Sequence, residues 1–137
     1  MNHLDSDYFS TCSSTGDQFA GRHILADFWG LERMGDLDFI QKTIEESALR
    51  AGASIVHSYF HPFGEGMGVS GVTVLSESHI SIHTWPERNF ASIDVFMCGN
   101  CDPQTAVDYL QKILEPSSVD QSLNRRGVIS AVAQMYS

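Results

Sequence analysis

Three β-rich runs follow one another with very little between them. Val69 to Leu75, Ile80 to Trp85 and Phe90 to Met97 are separated only by Ser-Glu-Ser-His and by Pro-Glu-Arg-Asn. Links this short favour chain reversal, and so a mostly antiparallel sheet. The flanking sequence fits that frame. Gly21 to Trp29 alternates as a strand of weak polarity contrast, and Ala53 to Phe60 is another apolar, β-rich run broken by the glycine-rich loop Pro62 to Gly68. Leu37, Ile40, Ile44, Ala48 and Ala51 recur at helical spacing, with Asp36 placed to cap the start and Gly52 to end the helix. Asp102-Pro103 opens a second helix whose buried face is Ala106, Val107, Leu110, Ile113 and Leu114, and Pro116 ends it. Val119 onward holds a weaker signal for one more strand. The order β-α-β-β-β-β-α-β implies an α+β fold, a two-layer α/β sandwich with helices on one face of the sheet. The other face then needs a cover. A homodimer, giving an αββα arrangement, is the economical one.

The length of 137 residues is that of one domain. Residues 1–20, polar and without apolar periodicity, read as a mobile tail, and residues 21–137 as the domain. Eight basic against 17 acidic residues give a net charge of −9, which repels phosphate backbones and anionic lipid and argues against nucleic acid or membrane as partner. No run approaches the roughly 18 to 20 apolar residues of a membrane span. The first twenty residues carry three Asp and no Lys or Arg, unlike a secretory or mitochondrial leader. Cys12, Cys98 and Cys101 cannot all pair within one chain. A reducing cytoplasm is the expected compartment.

The most informative stretch is Val69 to Cys98, densest in Ser-Glu-Ser-His-Ile-Ser-Ile-His-Thr-Trp-Pro-Glu at residues 76–87. It resembles the short bacterial and archaeal S-adenosylmethionine decarboxylases, over about Gly21 to Leu114. Decarboxylating an α-amino acid leaves electrons on Cα that need a sink, usually pyridoxal phosphate held on a lysine. This chain has only Lys42 and Lys112, both in helical runs, and no glycine-rich phosphate cradle. The resemblance implies instead a covalent pyruvoyl group made from the chain itself, with Ser78 as its precursor and Glu77–Ser78 as the bond cut.

On that resemblance, the Ser78 hydroxyl attacks the Glu77 carbonyl and turns the peptide into an ester. Loss of the Ser78 Cα proton expels the Glu77 carboxylate, and loss of ammonia leaves pyruvoyl. The pieces would be chains of 77 and 60 residues. The new ketone would form a Schiff base with S-adenosyl-L-methionine and take up electrons as carbon dioxide leaves, producing the aminopropyl donor for spermidine synthesis. The first step runs uphill unless the fold strains the peptide or stabilises its oxyanion.

The resemblance assigns the other residues in turn. His83 is the processing base for the Ser78 Cα proton, a task suited to an imidazole. Ser70 is the processing serine that assists it. Cys98 is the acid that returns a proton to the substrate carbon, since a thiol with a pKa near 8.5 is mostly protonated at neutral pH. A proton delivered to the pyruvoyl carbon instead would transaminate and destroy the group. Phe63 is the adenine-stacking residue, on a loop one residue longer than in some members, and Glu87 holds the ribose hydroxyls. Asp27 stands where several members carry Glu and receives no role. His57, His61 and His79 receive none either.

Spacing adds one inference of its own. Five extended steps put His83 about 16 Å from Ser78, too far for proton abstraction within one chain. If the chain reverses near residues 76 and 77, Ser70 and His83 fall opposite one another on paired strands. Together they would act on the partner's Ser78, so that each active site straddles a dimer interface.

Three other readings compete. Cys98-Gly-Asn-Cys101 is a CxxC, and His57/His61 and His79/His83 are HxxxH pairs, the raw material of a zinc or redox site. In strands, however, four steps span about 13 Å, whereas two ligands of one zinc sit about 3 to 4 Å apart. No metal is expected. Relatives that decarboxylate arginine or ornithine would keep the self-cleavage residues and change only the pocket, and Phe63 and Glu87 favour the adenosyl substrate. A catalytically dead relative is disfavoured because Ser78, His83 and Cys98 are all present.

Overall fold

The computed structural model describes residues 9–132. After a short hairpin, β1 (Ser10–Thr11) and β2 (Gln18–Phe19), the chain runs β3 (Gly21–Trp29), α1 (Leu37–Arg50), β4 (Ile55–Pro62), β5 (Val69–Leu75), β6 (Ser78–Trp85), β7 (Phe90–Met97), α2 (Pro103–Leu114) and β8 (Ser118–Arg126). The last six strands named here with β3 among them form one sheet in the order β4-β5-β6-β7-β3-β8. Every neighbouring pair in it is antiparallel.

Local sequence explains the helices. Asp36 caps α1 by accepting a hydrogen bond from the Phe39 amide, and Gly52 follows the helix with a left-handed φ of 93°. Asp102 caps α2 through the Gln104 amide, with Pro103 at its first turn. Ile40, Ile44 and Ala48 of α1 and Ala106, Val107, Leu110 and Leu114 of α2 pack on the inward side chains Ile24, Phe28, Ile80, Ile82, Ile93, Val95 and Met97. Each large aliphatic side chain buried in this way contributes about 1.5–3 kcal/mol before entropy is set against it.

Two expectations need correction. Ile113 is 37 % exposed, because it lies on the flank of α2 beside Phe39 and Lys42 of α1 instead of over the sheet. The polar stretch expected as a tail is folded from residue 9 onward. Phe19 and Cys12 are buried, and Gln18 pairs with Ile129 through reciprocal backbone hydrogen bonds of 2.9 and 2.7 Å. Pairing with the far end of the chain supplied what local periodicity did not show; residues 1–8 lie outside the described residues. The further strand expected from Val119 onward is present as Ser118–Arg126.

Among the described residues, neither α1 nor α2 covers the second face of the sheet. Leu25, Trp29, Tyr59, Val74 and Trp85 are all exposed there, and Trp29, Phe90 and Trp85 stack in a row with ring centroids 4.2 and 5.2 Å apart. No helix among the described residues is long and apolar enough to cross a membrane.

Candidate active site

The turn between β5 and β6 consists of Ser76 and Glu77, with Leu75 and Ser78 paired at its base. Glu77 takes a left-handed φ of 62°, unfavourable for a residue with a Cβ. The chain adopts it because the hairpin must close in two residues while Leu75 stays in the core. Beyond β7, the chain turns at Cys98 and meets this hairpin. The Cys98 thiol donates to the Glu77 carbonyl oxygen at 3.0 Å, and the Cys98 amide donates to Ser78 Oγ at 3.3 Å. Ser78 itself is buried. One residue thus touches both the Ser78 hydroxyl and the Glu77 carbonyl.

The electrostatics keep that thiol protonated. Burial pushes the Cys98 pKa up, the charges of Glu77 and Cys101 push it further, and the hydrogen bond with Ser78 opposes them. A cleft of about 230 Å³ opens beside the turn, lined by Ser54, Ser76, Glu77, Cys98, Asn100 and Cys101.

Ser70 and His83 are paired in register on β5 and β6, and Ser70 Oγ lies 2.8 Å from His83 Nδ1. They sit near the opposite end of β6 from Ser78. His83 is on the exposed face and Ser78 on the buried one. A 260 Å³ hollow on the open face surrounds them, walled by Tyr59, His61, Val72 and Ser81. Gly71, next to Ser70, lets the Phe60 ring cover the backbone: a Cβ there would lie 2.1 Å from Phe60 Cδ2. Phe63 and Glu87 belong to this second end. Phe63 opens the loop after β4, its amide bonded to the Gly68 carbonyl at 3.0 Å and its ring edge-on to His61 at 4.9 Å. Glu87 lies exposed in the 3-10 turn Pro86–Arg88. The seven residues singled out therefore form two groups in one chain: Glu77, Ser78 and Cys98 at one end of the sheet, Ser70, His83, Phe63 and Glu87 at the other.

The competing metal reading meets a different arrangement. His57 and His61 lie in β4, and His79 and His83 in β6, all in extended chain. Sequence reasoning missed a cluster on the open face: Asp94 Oδ2 takes both His23 Nε2 at 2.7 Å and His79 Nε2 at 2.8 Å, while Ser81 Oγ donates to Asp94 Oδ1. The only available signal was that all four fall on outward positions of their strands. Arg126 donates to His23 Nδ1 at 3.1 Å, so that nitrogen accepts and Nε2 carries the proton. The ligand atoms of His23, His79 and Asp94 lie within 4.8 Å of one another, a spacing that a metal ion could also use.

Fold and site define a two-layer α+β protein in which a serine, a thiol and a carbonyl converge on one hairpin turn. A model of the S-adenosylmethionine decarboxylase family matches residues 22–127. The S-adenosylmethionine decarboxylase proenzyme of Geobacillus kaustophilus is 48% identical over 96 residues, covering 69% of this chain and 77% of that one. The proenzyme of Clostridium kluyveri is 40% identical over 118 residues, 84% of this chain and 93% of that one. The crystal structure of adenosylmethionine decarboxylase from Aquifex aeolicus superposes with a TM-score of 0.75 at 33% identity, covering 82% of this chain and 95% of that one. The chain belongs to the S-adenosylmethionine decarboxylase family.

Proposed function

We propose that this chain is a proenzyme that cuts itself between Glu77 and Ser78 and then decarboxylates S-adenosyl-L-methionine. The observation that carries the reading is the double contact of Cys98 with Ser78 Oγ and the Glu77 carbonyl oxygen. Attack of Oγ on that carbonyl builds negative charge on an oxygen that already faces a thiol proton, which is where an oxyanion donor is worth most. The left-handed φ of Glu77 stores about 1–3 kcal/mol that cleavage releases, and this offsets part of the uphill conversion of amide to ester.

The residues fit a pyruvoyl group formed at position 78. That group supplies the electron sink for loss of carbon dioxide. Cys98, already at the turn and held protonated, is the acid that returns a proton to the substrate carbon. Phe63 offers a face for the adenine and Glu87 two acceptor oxygens for the ribose hydroxyls.

Both ends of the sheet are needed, and one chain cannot bring them together. We infer that two copies pair through their open sheet faces, so that Ser70 and His83 of one copy serve Ser78 of the other. With His83 Nδ1–H donating to Ser70 Oγ at 2.8 Å, Nε2 is left unprotonated and free to serve the partner as base. The exposed Trp29 and Trp85, stacked on the half-buried Phe90 between them, give that face the apolar surface an obligate pairing buries.

Intact mass of the purified protein tests the cleavage. Two chains of 77 and 60 residues are expected, the second blocked at its N-terminus. A single 15.2 kDa species that releases no carbon dioxide from S-adenosyl-L-methionine rejects the reading.

A further inference from the structure

We propose that Asp94 is a positioning residue for the pyruvoyl-bearing end of β6, acting through His79. The inference rests on the self-cleavage proposed above and extends it to what holds residue 78 afterwards. Before cleavage, residue 78 has three anchors: the peptide bond to Glu77, its own amide nitrogen, and the Oγ that accepts from the Cys98 amide at 3.3 Å. Cleavage removes all three. Oγ leaves as the second oxygen of the Glu77 carboxylate, the nitrogen departs as ammonia, and water supplies the ketone oxygen in its place. A new chain end without donors of its own frays unless the next residue is fixed.

That next residue is His79. Its backbone pairs with Val74 on one side and Phe96 on the other, and its Nε2 lies 2.8 Å from Asp94 Oδ2. Asp94 does not hold it alone. The same oxygen takes His23 Nε2 at 2.7 Å, and His23 is fixed in turn by Arg126 at 3.1 Å. Ser81, two residues further along β6, donates to the other carboxylate oxygen. Both imidazoles lie against the Phe96 ring, with centroids 5.5 and 6.0 Å from it. The carboxylate therefore ties the start of β6 to β7, β3 and β8 on the face opposite the core. Within the proenzyme this tie duplicates the covalent hairpin; after cleavage it is the first side-chain anchor behind the ketone.

The consequence concerns where the proton goes. Cys98 follows β7, the strand that carries Asp94, so one strand sets the thiol and, through His79, the ketone. If residue 78 drifts, the thiol protonates the pyruvoyl carbon instead of the substrate carbon. The substrate then leaves as an aldehyde after hydrolysis, its nitrogen stays on the chain, and residue 78 ends as alanine.

Asp94→Asn and His79→Gln test this against wild type in the full-length protein. Both variants are expected to self-cleave within about threefold of the wild-type rate, because the proenzyme still has its covalent hairpin. After incubation with S-adenosyl-L-methionine, mass and N-terminal sequencing of the 60-residue chain should show alanine accumulating after about tenfold fewer turnovers, with kcat reduced and KM little changed. A general loss of stability would lower the folded fraction and leave the ratio of turnovers to alanine formed untouched. Wild-type ratios in both variants overturn the proposal, and so does loss of cleavage in both. Absence of cleavage in the wild type instead overturns the underlying reading, and this one with it.

Discussion

Cys98 Sγ lies 3.0 Å from the carbonyl oxygen of Glu77, the residue before the serine that this fold buries at the start of β6. Under the proposed self-cleavage, that contact would give one thiol two successive tasks: facing the oxygen that gains charge as Ser78 attacks, and then donating a proton from the same strand end.

Removing it separates the two tasks. Cys98→Ala is expected to slow self-cleavage about 100-fold, the usual cost of losing one oxyanion donor. Cys98→Ser keeps a donor on a shorter reach and should cleave faster than Cys98→Ala while remaining poor at turnover. Band conversion of the 15.2 kDa chain on a denaturing gel measures the first effect, and carbon dioxide release the second. Equal cleavage by wild type and Cys98→Ala would remove the thiol from the processing step.

The direction of the Cys98 shift fixes a pH dependence. Burial first and then the Glu77 charge raise its pKa, so less thiolate exists at a given pH than in an ordinary thiol. Alkylation of Cys98 in the uncleaved Ser78→Ala protein, followed by peptide mass, should have its midpoint above about 8.5. Glu77→Gln removes a charge that favours the thiol form, so its midpoint should fall. Because the acid must be protonated to act, the alkaline limb of kcat should also lie above the ordinary thiol range. A Cys98 midpoint below that of an ordinary thiol would contradict the assignment of this thiol as donor.

The pairing of Ser70 with His83 was legible from the sequence because a two-residue turn at Ser76 and Glu77 fixes the register of everything behind it. Helix limits were legible from Asp36, Gly52 and Asp102, whose roles are local. The Asp94 cluster was not, because it needs the order of β6, β7, β3 and β8, and His23 is 71 residues from Asp94. Nor was the hairpin at Ser10 to Phe19, whose support comes from Ile129. The left-handed Glu77 and its contact with Cys98 were likewise invisible, since both follow from how β7 returns to the β5–β6 turn.

Gly71 links packing to the site. A Cβ at this position would overlap the Phe60 ring, which is itself buried, so Gly71→Ala forces that ring or β5 to move. A cost of about 1–3 kcal/mol is expected, read as a lower urea midpoint. Because Ser70 is the adjacent residue, cleavage should also slow under conditions where the variant is fully folded. An unchanged midpoint would mean that Phe60 can leave without penalty.

The open sheet face makes a prediction about assembly. Trp85 is 41 % exposed and stacks on Phe90 at the open face. Trp85→Glu places a charge in the proposed sheet-to-sheet contact at the cost of that one ring stack, so the variant should still fold. Light scattering should then show a shift from dimer toward the 15.2 kDa monomer, with self-cleavage falling in proportion. A dimer of wild-type strength in this variant would exclude the open face as the interface.

The separation of the two groups of site residues leads to the sharpest outcome. Ser78 and His83 occupy one strand, five residues apart and on opposite faces, so an intact chain has no internal route from His83 to the Ser78 Cα proton. Neither Ser78→Ala nor His83→Ala homodimers should then cleave at an appreciable rate. Refolded together, they form mixed dimers in which one site has Ser78 from the His83→Ala chain and His83 from the Ser78→Ala chain. That site is complete. Cleavage should therefore appear in the mixture only, should reach at most the His83→Ala chains, and should be confined to those in mixed dimers. A mass tag on one variant identifies which chain is cut. Cleavage by the His83→Ala homodimer at the wild-type rate would remove His83 from the reaction, and no cleavage in verified mixed dimers would place its action within a single chain.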